Sequence, residues 1–128
     1  MRAVGLDFGE KRIGIAFADG AAPIAVPRTT LQKNRRIYNV LAKLFVDEGV
    51  TDIVLGLPLT MEGEEAYMAK RVRVFGKKLE ERTGLPIFYV DERLSSEDAL
   101  KQGAPDIDAA AAAMILQSWL DSKGSNVQ

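Results

Sequence analysis

The sequence predicts an α/β fold, one layered domain built on a mixed sheet. Three observations carry that expectation. Strand-like segments follow one another three times near the start of the chain, segments of helical and strand period then alternate to the end, and neither an internal repeat nor a linker interrupts them.

Arg2 to Leu6 is a short apolar run ending in Asp7-Phe8-Gly9, and Ile13 to Ala18 follows after Glu10-Lys11-Arg12, the pattern of a two-stranded hairpin. After the turn signal Asp19-Gly20, Pro23-Ile24-Ala25-Val26-Pro27 offers a third strand whose prolines suit a sheet edge. From Arg35 to Glu48, Ile37, Val40, Leu41, Leu44 and Phe45 fall at helical spacing, and Gly49 supplies the stop. Ile53-Val54-Leu55-Gly56-Leu57 is apolar on both faces, as a central parallel strand should be, and Pro58 ends it. Met68, Val72, Phe75 and Leu79 mark one stripe of a second long helix stopping at Gly84, and Ile87-Phe88-Tyr89-Val90 reads as another buried strand. Ser95 with Asp98 resembles a capping box for a short helix broken by Gly103 and Pro105. A last helix runs from about Ile107 to Leu120, with residues 122–128 as a frayed tail of the single domain spanning 1–128. The unit from Ile53 to Val90 should form a right-handed parallel crossover.

With 128 residues the chain can bury roughly two thirds of its unfolded surface. It contains no cysteine and no histidine, which removes disulfides, thiolate zinc sites and imidazole bases. Hydrolytic chemistry is left to carboxylates, lysines, hydroxyls and metal-held water. A net charge of -1 confines any phosphate-binding surface to local patches. The N-terminus lacks the apolar region of a signal peptide and no run approaches membrane-spanning length, so the expectation is a cytoplasmic protein with no membrane partner.

Three carboxylates stand out. Asp7 lies in or at the end of a central hydrophobic strand, where a charge is expensive unless paired or metal-bound; the plainer alternative is a turn aspartate before Phe8-Gly9. Asp91-Glu92-Arg93 ends the last strand, where ligands collect in open α/β sheets, and its alternative is a solvated strand end. Asp108 shares a helical face with Ala112, Ile115 and Trp119, while Asp106 can cap that helix. A first-turn aspartate gains only about 0.3 to 1 kcal/mol from the helix dipole, too little to offset full burial, which favours a cation beside it. Carboxylates from a first strand, a last strand and a final helix could converge on one end of the sheet. Oxygen ligands of this kind suit Mg²⁺ or Mn²⁺, and two such ions about 3.5 to 4 Å apart can activate water and stabilise a leaving oxygen.

Gly5-Leu6-Asp7-Phe8-Gly9 with Arg12-Ile13-Gly14-Ile15-Ala16 and Asp19, Val54-Leu55-Gly56-Leu57-Pro58 with Gly63, Asp91-Glu92-Arg93-Leu94-Ser95-Ser96 with Ala99, and Ile107-Asp108-Ala109-Ala110 with Ile115-Leu116-Gln117 occur in that order. Together they resemble the bacterial YqgF family, also called RuvX, described as Holliday junction resolvases related to RuvC and as the nuclease that helps mature the 5′ end of precursor 16S ribosomal RNA. The resemblance covers nearly the whole chain. It implies a ribonuclease-H-like fold, a five-stranded mixed sheet of strand order 3-2-1-4-5 with helices on both faces. It also implies catalytic and metal-binding roles for Asp7, Glu92 and Asp108, with Asp7 bridging two ions. An acid often ends the fourth strand of ribonuclease-H-like enzymes, where this chain has Gly56-Leu57-Pro58. With strands about 4.8 Å apart, Glu92 must lean across one strand to reach Asp7, so Asp91 competes with it for the role. The segment between Ala99 and Asp108 is shorter than the lysine- and arginine-rich helix and loop usual in the family.

Lys11 and Arg12 beside the proposed site, and Arg93 next to Glu92, are the first candidates for phosphate contact. Lys70, Arg71, Arg73, Lys77 and Lys78 crowd the second long helix, where Lys70, Arg73 and Lys77 share one face, the plainer alternative being a solvated face balanced by Glu80 and Glu81; Arg28, Lys33, Arg35 and Arg36 could extend a binding track. The partner is then a nucleic acid, an rRNA precursor or branched DNA, cut by a monomer or a homodimer. Two rival readings are a catalytically silent RNA-binding module of ribosome assembly and an actin-like ATPase half-domain. The second lacks room for its other lobe, and no GxxxxGK[ST] loop is present.

Overall fold

The chain opens with an antiparallel hairpin of β1 (Arg2–Phe8) and β2 (Arg12–Asp19), in register from Arg2 opposite Asp19 to Phe8 opposite Ile13. Then come β3 (Val26–Gln32), α1 (Ile37–Glu48), β4 (Asp52–Leu57), α2 (Tyr67–Thr83), β5 (Ile87–Asp91) and α3 (Ile107–Ser125). The computed structural model describes residues 1–92 and 106–125. The short helix expected from Ser95 lies outside the described residues. The five strands form one sheet in the order β3-β2-β1-β4-β5, with β4 parallel to β1 and β5 parallel to β4. This is the expected ribonuclease-H-like arrangement.

The third strand falls later than the prolines suggested. Pro23 to Ala25 lie outside it, and the ladder is made by the polar, β-branched stretch from Val26 to Gln32 at the sheet edge. Ile15 pairs with Thr29 but Ala16 with Pro27, so Arg28 is an extra residue on β3. The bulge sits beside Pro27, which cannot donate to the ladder in any case. Gly49 at φ 68° and Gly84 at φ 72° end α1 and α2 in the left-handed conformation that glycine adopts at no steric cost.

Because side chains alternate along a strand, each face of the sheet has its own composition. Leu6, Phe8, Ile13, Ile15, Ile53 and Leu55 cover one face and bury against α1 and α2 through Leu41, Phe45, Val72, Phe75 and Leu79. Ala3, Ala16, Ala18 and Val54 face the other way and pack against Ala112, Ile115, Leu116 and Trp119 of α3. That second face is built from small residues, and α3 lies almost directly on the backbone of the sheet. A Cβ at Gly5 would stand 2.6 Å from Leu116 Cβ, and one at Gly14 would stand 1.9 Å from the Asp108 carbonyl oxygen. No described helix is long and apolar enough to cross a membrane.

Candidate active site

Asp7 is the penultimate residue of β1 and, two residues on from Gly5, belongs to the small-residue face beneath α3. On β5, Phe88 stacks against Trp119 at 5.1 Å and Val90 joins the α3 side of the core. Ile87 and Tyr89 pack on the opposite side. Alternation therefore assigns Glu92 to the face of Asp7 and Asp91 to the other one, which separates the two competitors. Glu92 follows β5 directly, and its N–H continues the ladder to Leu57 O at 3.3 Å. It leans across β4 because position 56 is glycine: a Cβ there would lie 2.7 Å from Glu92 Oε2.

Asp7 and Glu92 meet in a side-chain hydrogen bond. Burial pushes the Asp7 carboxyl up to about 6, the Asp108 charge adds to the rise, and the Glu92 hydrogen bond opposes it. Burial pushes Glu92 up to about 8, assisted by the Asp7 charge, by the same hydrogen bond and by the Asp91 charge. Both carboxyls are thus pushed toward the protonated form, Glu92 further than Asp7, and the pair is disposed to keep a proton between them. Two acids sharing one proton in a poorly solvated place are a pair that a cation can replace the proton to join.

Gly14, which pairs with Asp7, carries the first turn of α3 on its bare backbone and so sets Asp108 beside the pair. Asp106 caps that turn, accepting from Ala109 N at 3.1 Å and from Thr30 Oγ1 at 2.6 Å. The Asp108 side chain is not fully buried: it stays 30% exposed and pairs with Arg12 Nε at 2.9 Å. Asp108 therefore needs no cation to offset full burial, contrary to the expectation from its helical face, and burial acts on Asp7 and Glu92 instead. Among the described residues no three acids form a ready ligand cluster. The donor set nevertheless fits a hard divalent ion, because it is all oxygen, Asp7 and Glu92 are half-buried, and Asp108 pairs with a guanidinium that is 59% exposed.

Lys11 and Arg12 line a cavity of about 410 Å³ together with Gly9, Glu10 and Asp108. Arg93 lies outside the described residues. The three cations grouped on α2 separate. Arg73 turns to Glu65, with two hydrogen bonds of 2.6 and 2.7 Å, and its guanidinium lies 4.7 Å from the Tyr89 ring centroid. Lys77 is exposed, while Lys70 lines a cleft with Arg71 and Lys78 on the side of the sheet away from the acids. Arg28 pairs with Glu48 and has left the proposed track. Arg71 and Lys78, cations of the same helix off the expected face, join Lys70 here, and Tyr67, Lys70, Arg71, Val74 and Lys78 follow the helical spacing that could have marked this face instead.

The geometry agrees with what the chain is similar to. A family model for RuvX, described as Holliday junction resolvase, matches residues 1–122. A protein of Maridesulfovibrio salexigens, provisionally named a pre-16S rRNA nuclease, is 39% identical over 94% of this chain and 98% of its own. One of the same name from Synechocystis is 40% identical over 98% of this chain and 91% of its own. Thermus thermophilus RuvC, in a complex with a Holliday junction substrate, superposes with a TM-score of 0.63 at 14% identity, covering 97% of this chain and 96% of that one. Fowlpox virus resolvase, also with Holliday junction DNA, gives a TM-score of 0.63 at 10% identity over 96% of this chain and 99% of that one. With residues 1–122 accounted for by one family model and full-length relatives near 40% identity, the chain belongs to the RuvX family.

Proposed function

We propose that this protein is a metal-dependent endonuclease that cuts structured nucleic acid, maturing the 5′ end of precursor 16S rRNA, resolving Holliday junctions, or both. The observation that carries the reading is the meeting of the Asp7 and Glu92 side chains at the carboxyl ends of β1 and β5, Glu92 reaching over bare Gly56, with Asp108 beside them. Asp7, Glu92 and Asp108 would hold Mg²⁺ or Mn²⁺, and such ions, when bound, supply an activated water and charge neutralisation at the phosphate. Membership of the RuvX family and relatives named for rRNA processing support the same reading.

The protein's own groups have three tasks. Asp7 and Glu92 give up their shared proton and present carboxylate oxygens in a water-poor setting, where charge interactions are strong. Asp108 exchanges its Arg12 partner for the site. Lys11 and Arg12, once free, face the mouth of the cavity and can take a substrate phosphate, Arg12 in two-pronged fashion.

The test is a side-by-side cleavage assay on a four-way DNA junction and an extended rRNA precursor, with each metal, alongside a solution mass measurement. Cleavage should disappear in Asp7→Asn, by at least about a hundredfold. Cleavage by Asp7→Asn at the wild-type rate would overturn the assignment. The Arg12–Asp108 ion pair favours one second reading, a binding module without turnover, and metal-dependent cleavage of either substrate would exclude it.

A further inference from the structure

On the face of the sheet opposite the acids, α1, α2 and the end of β1 enclose a cleft of about 500 Å³, a size ordinary for small-molecule sites. Its floor is aromatic: the Phe8 and Phe75 rings lie 4.6 Å apart and Tyr38 follows 5.5 Å from Phe75. Tyr67 stands at the rim, 68% exposed, with the Arg71 guanidinium 5.6 Å from its centroid. The remaining polar wall carries Asn34, Lys33, Lys70, Arg71 and Lys78, and among the described residues no carboxylate lines the cleft. Four cations around an apolar floor, with no acid among them, repel one another until an anion joins them. Aromatic rings next to such charges are the combination that holds a nucleotide whose base is not stacked in a helix.

The cleft is also tied to the candidate active site. Lys33 Nζ donates to Gly9 O at 3.0 Å and sits 4.1 Å from the Phe8 ring centroid. Gly9 lines the cavity beside Arg12 and Asp108 as well. Phe8 and Asp7 are chain neighbours that point to opposite faces, so a strand passing over the β1–β2 turn runs from one site into the other.

We propose that this cleft holds an unpaired nucleotide of the strand being cut, its base against the Tyr38 and Tyr67 rings and its phosphate among Lys33, Lys70, Arg71 and Lys78. The proposal rests on the nuclease reading for the identity of the strand, but its test does not depend on cleavage. The full chain is titrated by fluorescence anisotropy, with metal chelated, against labelled RNA duplexes that are blunt or carry a short single-stranded tail, and against DNA versions of both. Tailed duplexes should bind about tenfold more tightly than blunt ones. Tyr67→Ala should remove that preference and Tyr67→Phe should keep it. An Arg71→Ala and Lys78→Ala double variant should flatten the salt dependence of tailed binding by one to two phosphate contacts. Equal binding of blunt and tailed duplexes, or an unchanged preference in Tyr67→Ala, overturns the proposal. A preference lost in Tyr67→Ala, with no cleavage under any metal, upholds the cleft and sinks the nuclease reading instead. RNA and DNA tails separate the two sources of the same chemistry.

Discussion

The Glu92 carboxyl lies over the bare backbone of Gly56, with Oε2 only 2.7 Å from the point a Cβ would occupy. In the proposed site, the acid that ribonuclease-H-like enzymes often place at the end of the fourth strand would come from the next strand, through the gap that glycine leaves. Gly56→Ala should therefore act as a site mutation. The added methyl meets Glu92 Oε2 and also Ile115 Cδ1 at 2.5 Å, so a stability cost of about 1 to 3 kcal/mol is expected. Activity should fall by at least about tenfold at temperatures where the variant is fully folded. Thermal unfolding and cleavage measured together separate the two effects, and full activity would show that Glu92 does not need its position over β4.

The acidic pair predicts an unusual pH dependence for metal-free protein. Asp7, raised to about 6, and Glu92, raised to about 8, bind protons more tightly folded than unfolded. Their contribution to stability is complete below the ordinary carboxyl range and is lost as pH rises through those two values. Stability in chelator, followed by melting temperature, should fall between pH 5 and pH 9, by an amount on the order of 1 kcal/mol or more. Glu92→Gln, neutral at every pH, should flatten the upper part of that fall. Added Mg²⁺ or Mn²⁺ should oppose it, because metal binding releases the proton, and should do so in the wild type but not in Glu92→Gln. A flat profile in chelator would contradict the shared proton.

Arg12 stands between two partners. Its ion pair with Asp108 is largely exposed and worth at most about 1 kcal/mol. Arg12→Ala should accordingly raise metal affinity by no more than about fivefold, read from metal-dependent melting. The same change should weaken nucleic-acid binding and reduce its salt slope by about one contact. Weaker metal binding in Arg12→Ala would mean that Arg12 orients Asp108 instead of occupying it.

Asp106→Ala removes the acceptor for Ala109 N–H and Thr30 Oγ1 at the start of α3. A loss of about 0.5 to 2 kcal/mol is expected, the usual range for an N-cap. Since that turn carries Asp108, metal-dependent stabilisation should weaken as well. Denaturant unfolding with and without Mg²⁺ checks both, and an undiminished metal effect would place the anchoring of Asp108 in Gly14 alone.

The parts of the fold legible in the sequence were those with a strong period. The apolar hairpin, the two-sided run from Ile53 to Leu57 and the stripe of α2 all form where their patterns put them. The third strand was misplaced because its ladder is made of polar edge residues, which carry no burial signal. Asp7 stood out as a charge in a buried strand, and alternation along β5 would have chosen Glu92 over Asp91 had the facing core been known. The Arg12–Asp108 pair joins a hairpin turn to a helix over ninety positions away, and no local pattern announces it. The cleft draws on three separate stretches of chain, so the joint role of Lys33 with Lys70, Arg71 and Lys78 became visible only in three dimensions.

The contact of α3 with bare strand backbone at Gly5, Gly14 and Gly56 leaves the reactive side of the sheet without slack. Under α1 and α2, long alkyl and aromatic side chains form a cushion that can be reshaped one methyl at a time. Beneath α3 there is no such layer, so a substitution there is passed on undiminished as a shift of the helix. Tolerance to substitution should therefore be one-sided, and anyone re-engineering the scaffold should work from the back, outside the aromatic cleft.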